Sequence, residues 1–259
     1  MELFNLSYGE FERFLFVLVR VSAFILFVPI LGSTQFPARI KIGFILLLSL
    51  SVFPLVRNLP LPEPRGVLDF TLYLFSEATA GLVLAFATRL IFTAVQIAGT
   101  VVDFQMGFGV VNVIDPQTQS QVSITAQFHN IFTILLYLAL NAHHWTIYSL
   151  VESFQLINPA EFSVTAGTMA LLLKLFAGTF VVAVKIAAPI MAILLFISVG
   201  LGLVARTVPQ MNVFIVGFPL QIGVGLLMVG LTMSFFGMVM TRHIEKLPGW
   251  LLGLMQTMG

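Results

Sequence analysis

Residues Met169–Val204 read MALLLKLFAGTFVVAVKIAAPIMAILLFISVGLGLV, an apolar run whose only charges are Lys174 and Lys185. As a helix, its roughly 35 residues extend about 50 Å, against about 30 Å of bilayer hydrocarbon. Leu68–Val102 is a second overlong block and carries Glu77 and Arg89 inside it. Such blocks are either bent hairpins or long helices that leave the bilayer and pack against other protein. Gly99, Gly178 and Pro189 are the positions where a bend is expected.

Around these two, four further apolar blocks emerge: about Phe14–Leu31, Ile40–Val56, Phe128–Leu140 and Val213–Met240. A turn at Gly32–Pro37 separates the first pair, and a proline-rich linker with Pro60, Pro62 and Pro64 follows the second; alternating prolines favour extended chain. Asp103–Gln127 is the least hydrophobic stretch, and Asn141–Phe162, with His143, His144 and Trp145, suits an interface. The tail Arg242–Lys246 is expected to be soluble or interfacial. The composition agrees, with 59% hydrophobic and 9% charged residues and a mean hydropathy of +1.05. An ordinary soluble fold carries about 25% charged residues. The reading is therefore an all-α membrane protein.

A net charge of +1 gives no field for nucleic acid, and the lack of cysteine removes disulfides, thiol catalysis and thiolate metal sites. Glu2, Glu10, Glu12 and Arg20 are wrong for a cleavable signal, so the first block is expected to be the first mature helix. With six simple crossings, Arg13, Arg57, Arg65, Arg242 and Lys246 fall on one side and Arg39, Lys41 and Arg206 on the other. That bias does not fix orientation.

Arg20, Glu77, Arg89, Lys174 and Lys185 lie inside apolar blocks, where each charge must meet protein or water. Lys174 and Lys185, eleven residues apart, return to nearly one helical face, which also holds Gly178. Two readings stand: snorkelling or pairing within a bundle, or a lining and packing surface of a multisubunit pore. Glu77 and Arg89 are too far apart along their helix to pair, so Glu77 requires a partner from elsewhere. No His-Glu-x-x-His, Gly-x-Ser-x-Gly or phosphate loop occurs, so no catalytic residues, metal site or cofactor are expected. A secondary transporter would show internal repeats with interrupted helices, and the two halves show none.

Two stretches between the apolar blocks stand out. Met106, Gly107, Phe108, Gly109, Val110, Val111, Asn112, Val113 and Ile114 combine turn-permitting glycines with many aliphatic side chains. This stretch reads either as a solvent-exposed connection, unusual with so many aliphatics, or as a loop inserted into a pore, since loose backbone in lipid needs a protein cavity. Arg206, Pro209, Gln210, Met211 and Asn212 form a polar hairpin tip between two apolar blocks.

The run RTVPQMNVFIVGFP, Arg206–Pro219, resembles the signature of the FliR/SctT family of type III export-gate proteins. Arg20 through Pro29 with Pro37 and Lys41, Glu77 with Gly81, DFQMGFGVVNVIDP at Asp103–Pro116 and NAHHW from Asn141 agree with it. The resemblance implies a FliP-like part over about residues 1–166 and a FliQ-like hairpin with a tail over 167–259. It implies assembly with FliP and FliQ into a helical multisubunit gate, in contact with FlhB and working with FlhA. Unfolded export substrates would cross the bacterial inner membrane through that gate, in the flagellar basal body or, alternatively, in an injectisome. Met106–Ile114 would be similar to the family's plug loop, and Pro209–Asn212 to a cytoplasmic tip near FlhB.

Overall fold

A computed structural model describes residues 8–33, 36–57, 59, 64–108, 123–157, 162–210 and 212–259. Its elements are all helices: α1 Tyr8–Phe27, α2 Ala38–Val56, α3 Val67–Met106, α4 Ile124–Ala139 and α5 Ala142–Leu156, then α6 Ala166–Thr207, α7 Val213–Leu231, α8 Met233–Ile244 and α9 Leu247–Met258. The protein is an all-α membrane protein. The two overlong blocks are continuous helices of 40 and 42 residues, and α6 runs through Pro189.

Four of the described helices, α2, α3, α6 and α7, are long and apolar enough to cross a bilayer. That is fewer than the six apolar blocks. In α1, Glu10, Glu12, Arg13 and Arg20 crowd twenty residues, and α4 has only 16. The last block also divides, because the chain turns at Thr232 between α7 and α8. Beyond the polar Arg242–Lys246 tail lies α9, with Leu247, Leu251, Leu254, Met255 and Met258 buried. That spacing makes an apolar stripe on one face, and Pro248 is tolerated because it sits in the first turn.

The chain packs as two compact units: residues 1–90, 141–176 and 245–259 in one, and 91–140 and 177–244 in the other. In the first, α1 buries Val17, Arg20, Val21 and Phe24 along one stripe and packs against α2, while α9 packs on α5. Glu10 accepts from Arg57 at 2.7 Å, and Arg13 donates to the carbonyls of Arg57 and Leu59, tying α1 to the end of α2. In the second unit, α3 buries Ile91, Ala94, Val95, Ala98, Val102 and Met106. Gly99 serves a close approach here, since a Cβ at that position would collide with the backbone of Ala126 on α4. The ring of Phe236 on α8 lies 4.5 Å from that of His129 on α4.

Candidate functional site

The connection from Gly107 to Ser123 joins α3 to α4, and both of its ends are fixed within the second unit. α3 stops at Gly107, whose φ of +94° is open to glycine at little cost. Gly107 donates its N–H to the Phe104 carbonyl at 3.2 Å and Phe108 donates to Asp103 at 3.1 Å. Those are the two bonds of a Schellman terminus. At the other end, the Ser123 hydroxyl accepts from the Ala126 N–H at 3.0 Å. The Asp103 carboxylate, reaching over from α3, accepts from the Thr125 N–H at 3.2 and 3.3 Å. A carboxylate at a helix N-terminus also meets the positive end of the helix dipole. One residue of α3 therefore caps the helix on the far side of the connection.

The start of this connection lies on α7. Met106 is fully buried, and a Cβ at Gly225 would come within 2.6 Å of its Cε and 2.7 Å of its Cγ. A Cβ at Gly107 would lie 2.7 Å from Cδ1 of Phe218. Of the nine candidate loop residues, Met106, Gly107 and Phe108 are described, while Gly109, Val110, Val111, Asn112, Val113 and Ile114 lie outside the described residues.

The hairpin tip is built differently. Arg206, Pro209, Gln210 and Asn212 are all exposed, and Met211 lies outside the described residues. Asn212 caps α7, its side-chain oxygen accepting from the Phe214 N–H at 3.2 Å. Below the tip, Gln221 donates to the Ser198 hydroxyl at 3.0 Å, joining α7 to α6. The described residues of the tip present the polar side chains Arg206, Gln210 and Asn212 outward.

A model of bacterial export proteins, family 1, matches residues 11–247. The chain is 38% identical over 240 residues to the flagellar biosynthetic protein FliR of Bacillus subtilis, covering 92% of each chain. It is 30% identical over 210 residues to FliR of Escherichia coli, covering 81% of this chain and 79% of that one. FliR of Aquifex aeolicus is 29% identical over 238 residues, with 90% and 92% covered. The chain belongs to the FliR family of bacterial export proteins. It is a component of the flagellar export apparatus.

In this FliR-family chain the five charges inside the apolar blocks separate into two kinds. Arg20 and Glu77 are both fully buried and meet through two bonds, Nε to Oε2 at 2.6 Å and Nη2 to Oε1 at 3.0 Å. Arg20 also donates to the Ser153 carbonyl at 2.9 Å and that of Ile157 at 3.3 Å, and lies 4.2 Å from the centroid of Phe154. The partner that Glu77 required from elsewhere is thus on α1, and α5 completes the node. Arg89, Lys174 and Lys185 are exposed on the surface of the chain, and among the described residues no neighbouring element comes within 4 Å of where a Cβ of Gly178 would stand.

Asp103 opens the DFQMGFGVVNVIDP stretch and Phe218 lies within RTVPQMNVFIVGFP, but neither stretch announces a cap or a seat, and Gly225 lies outside both. A serine ahead of an apolar run is a readable helix start, so Ser123 carried a local signal. Asp103, Phe218 and Gly225 carried none, because their roles depend on neighbours distant in sequence.

Proposed function

We propose that this FliR-family chain is a core subunit of the flagellar type III export gate, forming with FliP and FliQ the channel that unfolded substrates use to cross the inner membrane. The observation that carries the reading is a connection fixed at both ends, at Gly107 and at Thr125, beside an α6–α7 hairpin with much of its apolar surface uncovered. Phe196, Phe214, Ile215 and Leu231 are each at least 70% exposed. Water does not favour such a surface, so other subunits or lipid must cover it.

On this reading residues 1–166 are the FliP-like part and residues 167–259 the FliQ-like hairpin with its tail. Met106–Ile114 plug the channel before secretion, and the Arg206–Asn212 tip meets FlhB at the cytoplasmic entrance. Arg89, Lys174 and Lys185 pack against neighbouring subunits or line the pore, and FlhA and the proton motive force supply the drive. The work is gating, with no bond made or broken by this chain.

Deleting Gly107–Val111 in an assembled gate tests the closure. The deletion is expected to make membranes conduct small ions while FliP and FliQ still co-purify. Unchanged conductance in an intact complex would overturn the plug, and purification of the chain without either partner would overturn the gate.

A further inference from the structure

Helix α2 buries Ile45, Ser49, Val52 and Val56 and packs against α1. Its other side carries Leu46, Leu47 and Leu50, each more than 40% exposed. Arg39 and Arg57 stand at its two ends, and both are exposed. They are eighteen residues apart, which at about 100° per residue is five full turns, so they lie on one face. Leu46 and Leu50 fall within roughly 20° of that same line. The two arginines are separated by about 27 Å along the axis, close to the thickness of about 30 Å of bilayer hydrocarbon. No charged residue occurs between Lys41 and Arg57. Ser51, the exposed hydroxyl in that interval, donates to the Leu47 carbonyl at 2.8 Å, which satisfies it where water is absent.

The cations at the two ends are set up differently from each other. Lys41 turns back to donate to the Gly32 carbonyl at 3.1 Å, so Arg39 is the outward cation at the first end. At the other end Glu10 takes one edge of the Arg57 guanidinium, at 2.7 Å from Nε and 2.5 Å from Nη2, and the side chain stays 58% exposed. The other uncovered apolar helices lack this arrangement. α6 carries Lys174 and Lys185 within its apolar run, and the caps of α7 are Asn212 and Thr232. A contact between subunits has no need of cations spaced at bilayer thickness. The two leaflets offer phosphates at that spacing, and guanidinium groups bind phosphate through paired hydrogen bonds.

We propose that the face of α2 bearing Arg39, Leu46, Leu50 and Arg57 is a lipid-facing side of this subunit. Acyl chains cover the leucines and a phospholipid phosphate meets each arginine, so the two guanidinium groups set the depth of α2 in the bilayer. Arginines at the ends of an apolar helix reach the headgroups with little strain. The inference depends neither on the Met106–Ile114 plug nor on which subunits complete the gate.

Since the chain has no cysteine, Leu47→Cys accepts a single nitroxide label. The protein is purified with the subunits that accompany it and reconstituted into phosphatidylethanolamine–phosphatidylglycerol liposomes. By EPR power saturation, the label is expected to collide readily with dissolved oxygen and hardly at all with a water-soluble nickel chelate. A label at Leu50→Cys is expected to behave alike. Ready collision with the chelate would put this face in water. Shielding from both relaxants, or failure of the assembled protein to take the label, would put another protein over it. Either result overturns the proposal. The depth-setting role is read at Ile42→Cys, close to one turn beyond Arg39. Adding Arg39→Leu is expected to let this end sink, raising the ratio of oxygen to chelate collisions at the label. An unchanged or lower ratio overturns the role of Arg39.

Discussion

At the scale of single residues, Arg20 shows why a buried charge is a liability unless every donor is used. Its guanidinium meets Glu77 in two places and two backbone carbonyls of the α5 end. Removing one member of such a pair costs about 3–5 kcal/mol, because the other charge stays buried and uncompensated. Glu77→Ala is therefore expected to lower the thermal stability of the detergent-solubilised protein severely, and wild-type stability would refute the account. Arg20→Met with Glu77→Leu should recover only part of the loss, since the Ser153 and Ile157 carbonyls then lack their donor. His143, on α5 and outside the four apolar helices, poses the opposite case. Burial first, and then the neighbouring His144, hold its pKa below the ordinary histidine value, and its Nδ1 has no hydrogen-bond partner among the described residues. The folded state then binds fewer protons than the unfolded state, so His143 costs stability as pH falls from about 6.5 downward. His143→Gln should flatten that acid limb in a thermal-shift titration; an unchanged slope would exclude His143 as its source.

At the scale of elements, the Asp103 cap ties α3 to α4 across 22 residues of sequence. Losing a helix cap costs about 1 kcal/mol, so Asp103→Ala should loosen the first turn of α4 more than the protein as a whole. Hydrogen exchange at Thr125 and Ala126 reads this directly, with Asp103→Asn, which keeps an acceptor, falling between the two. Equal protection in all three proteins would remove Asp103 from the cap. This cap also marks the limit of what the sequence makes legible. Continuous apolar runs announce α3 and α6, because their signal is local and long. Their ends are blurred: α3 runs on past Val102 to Met106, and α4 begins at Ile124, ahead of the apolar block at Phe128. Polar residues there satisfy caps and do not break the helix. The Gly-Phe-Gly stretch signals a turn, and Gly107 is indeed the helix terminus. Nothing local says that Phe218 and Gly225 will receive it, since packing between distant elements decides that.

At the scale of the whole molecule, the question is what covers the outward apolar surface. Lipid and protein would both satisfy Phe214, Ile215, Leu227 and Leu231, at 74%, 71%, 61% and 70% exposure. The exposed lysines of α6 weigh toward protein or water, because a charge deep in hydrocarbon is disfavoured. Leu227→Asp on α7 separates the two cases. Against lipid, an aspartate costs up to about 2.5–3.5 kcal/mol of insertion at a helix centre. The cost is somewhat less at Leu227, the fifteenth of the 19 residues of α7, and less of the chain would reach the membrane. Against the partner subunits of the proposed gate, insertion persists through the remaining apolar helices, while the desolvated carboxylate breaks the interface. The gate reading therefore expects Leu227→Asp to stay in the membrane fraction at near wild-type amount and to purify without FliP and FliQ. Retention of both partners at full yield would mean that this face of α7 is not where the subunits meet, and reduced membrane levels would assign it to lipid.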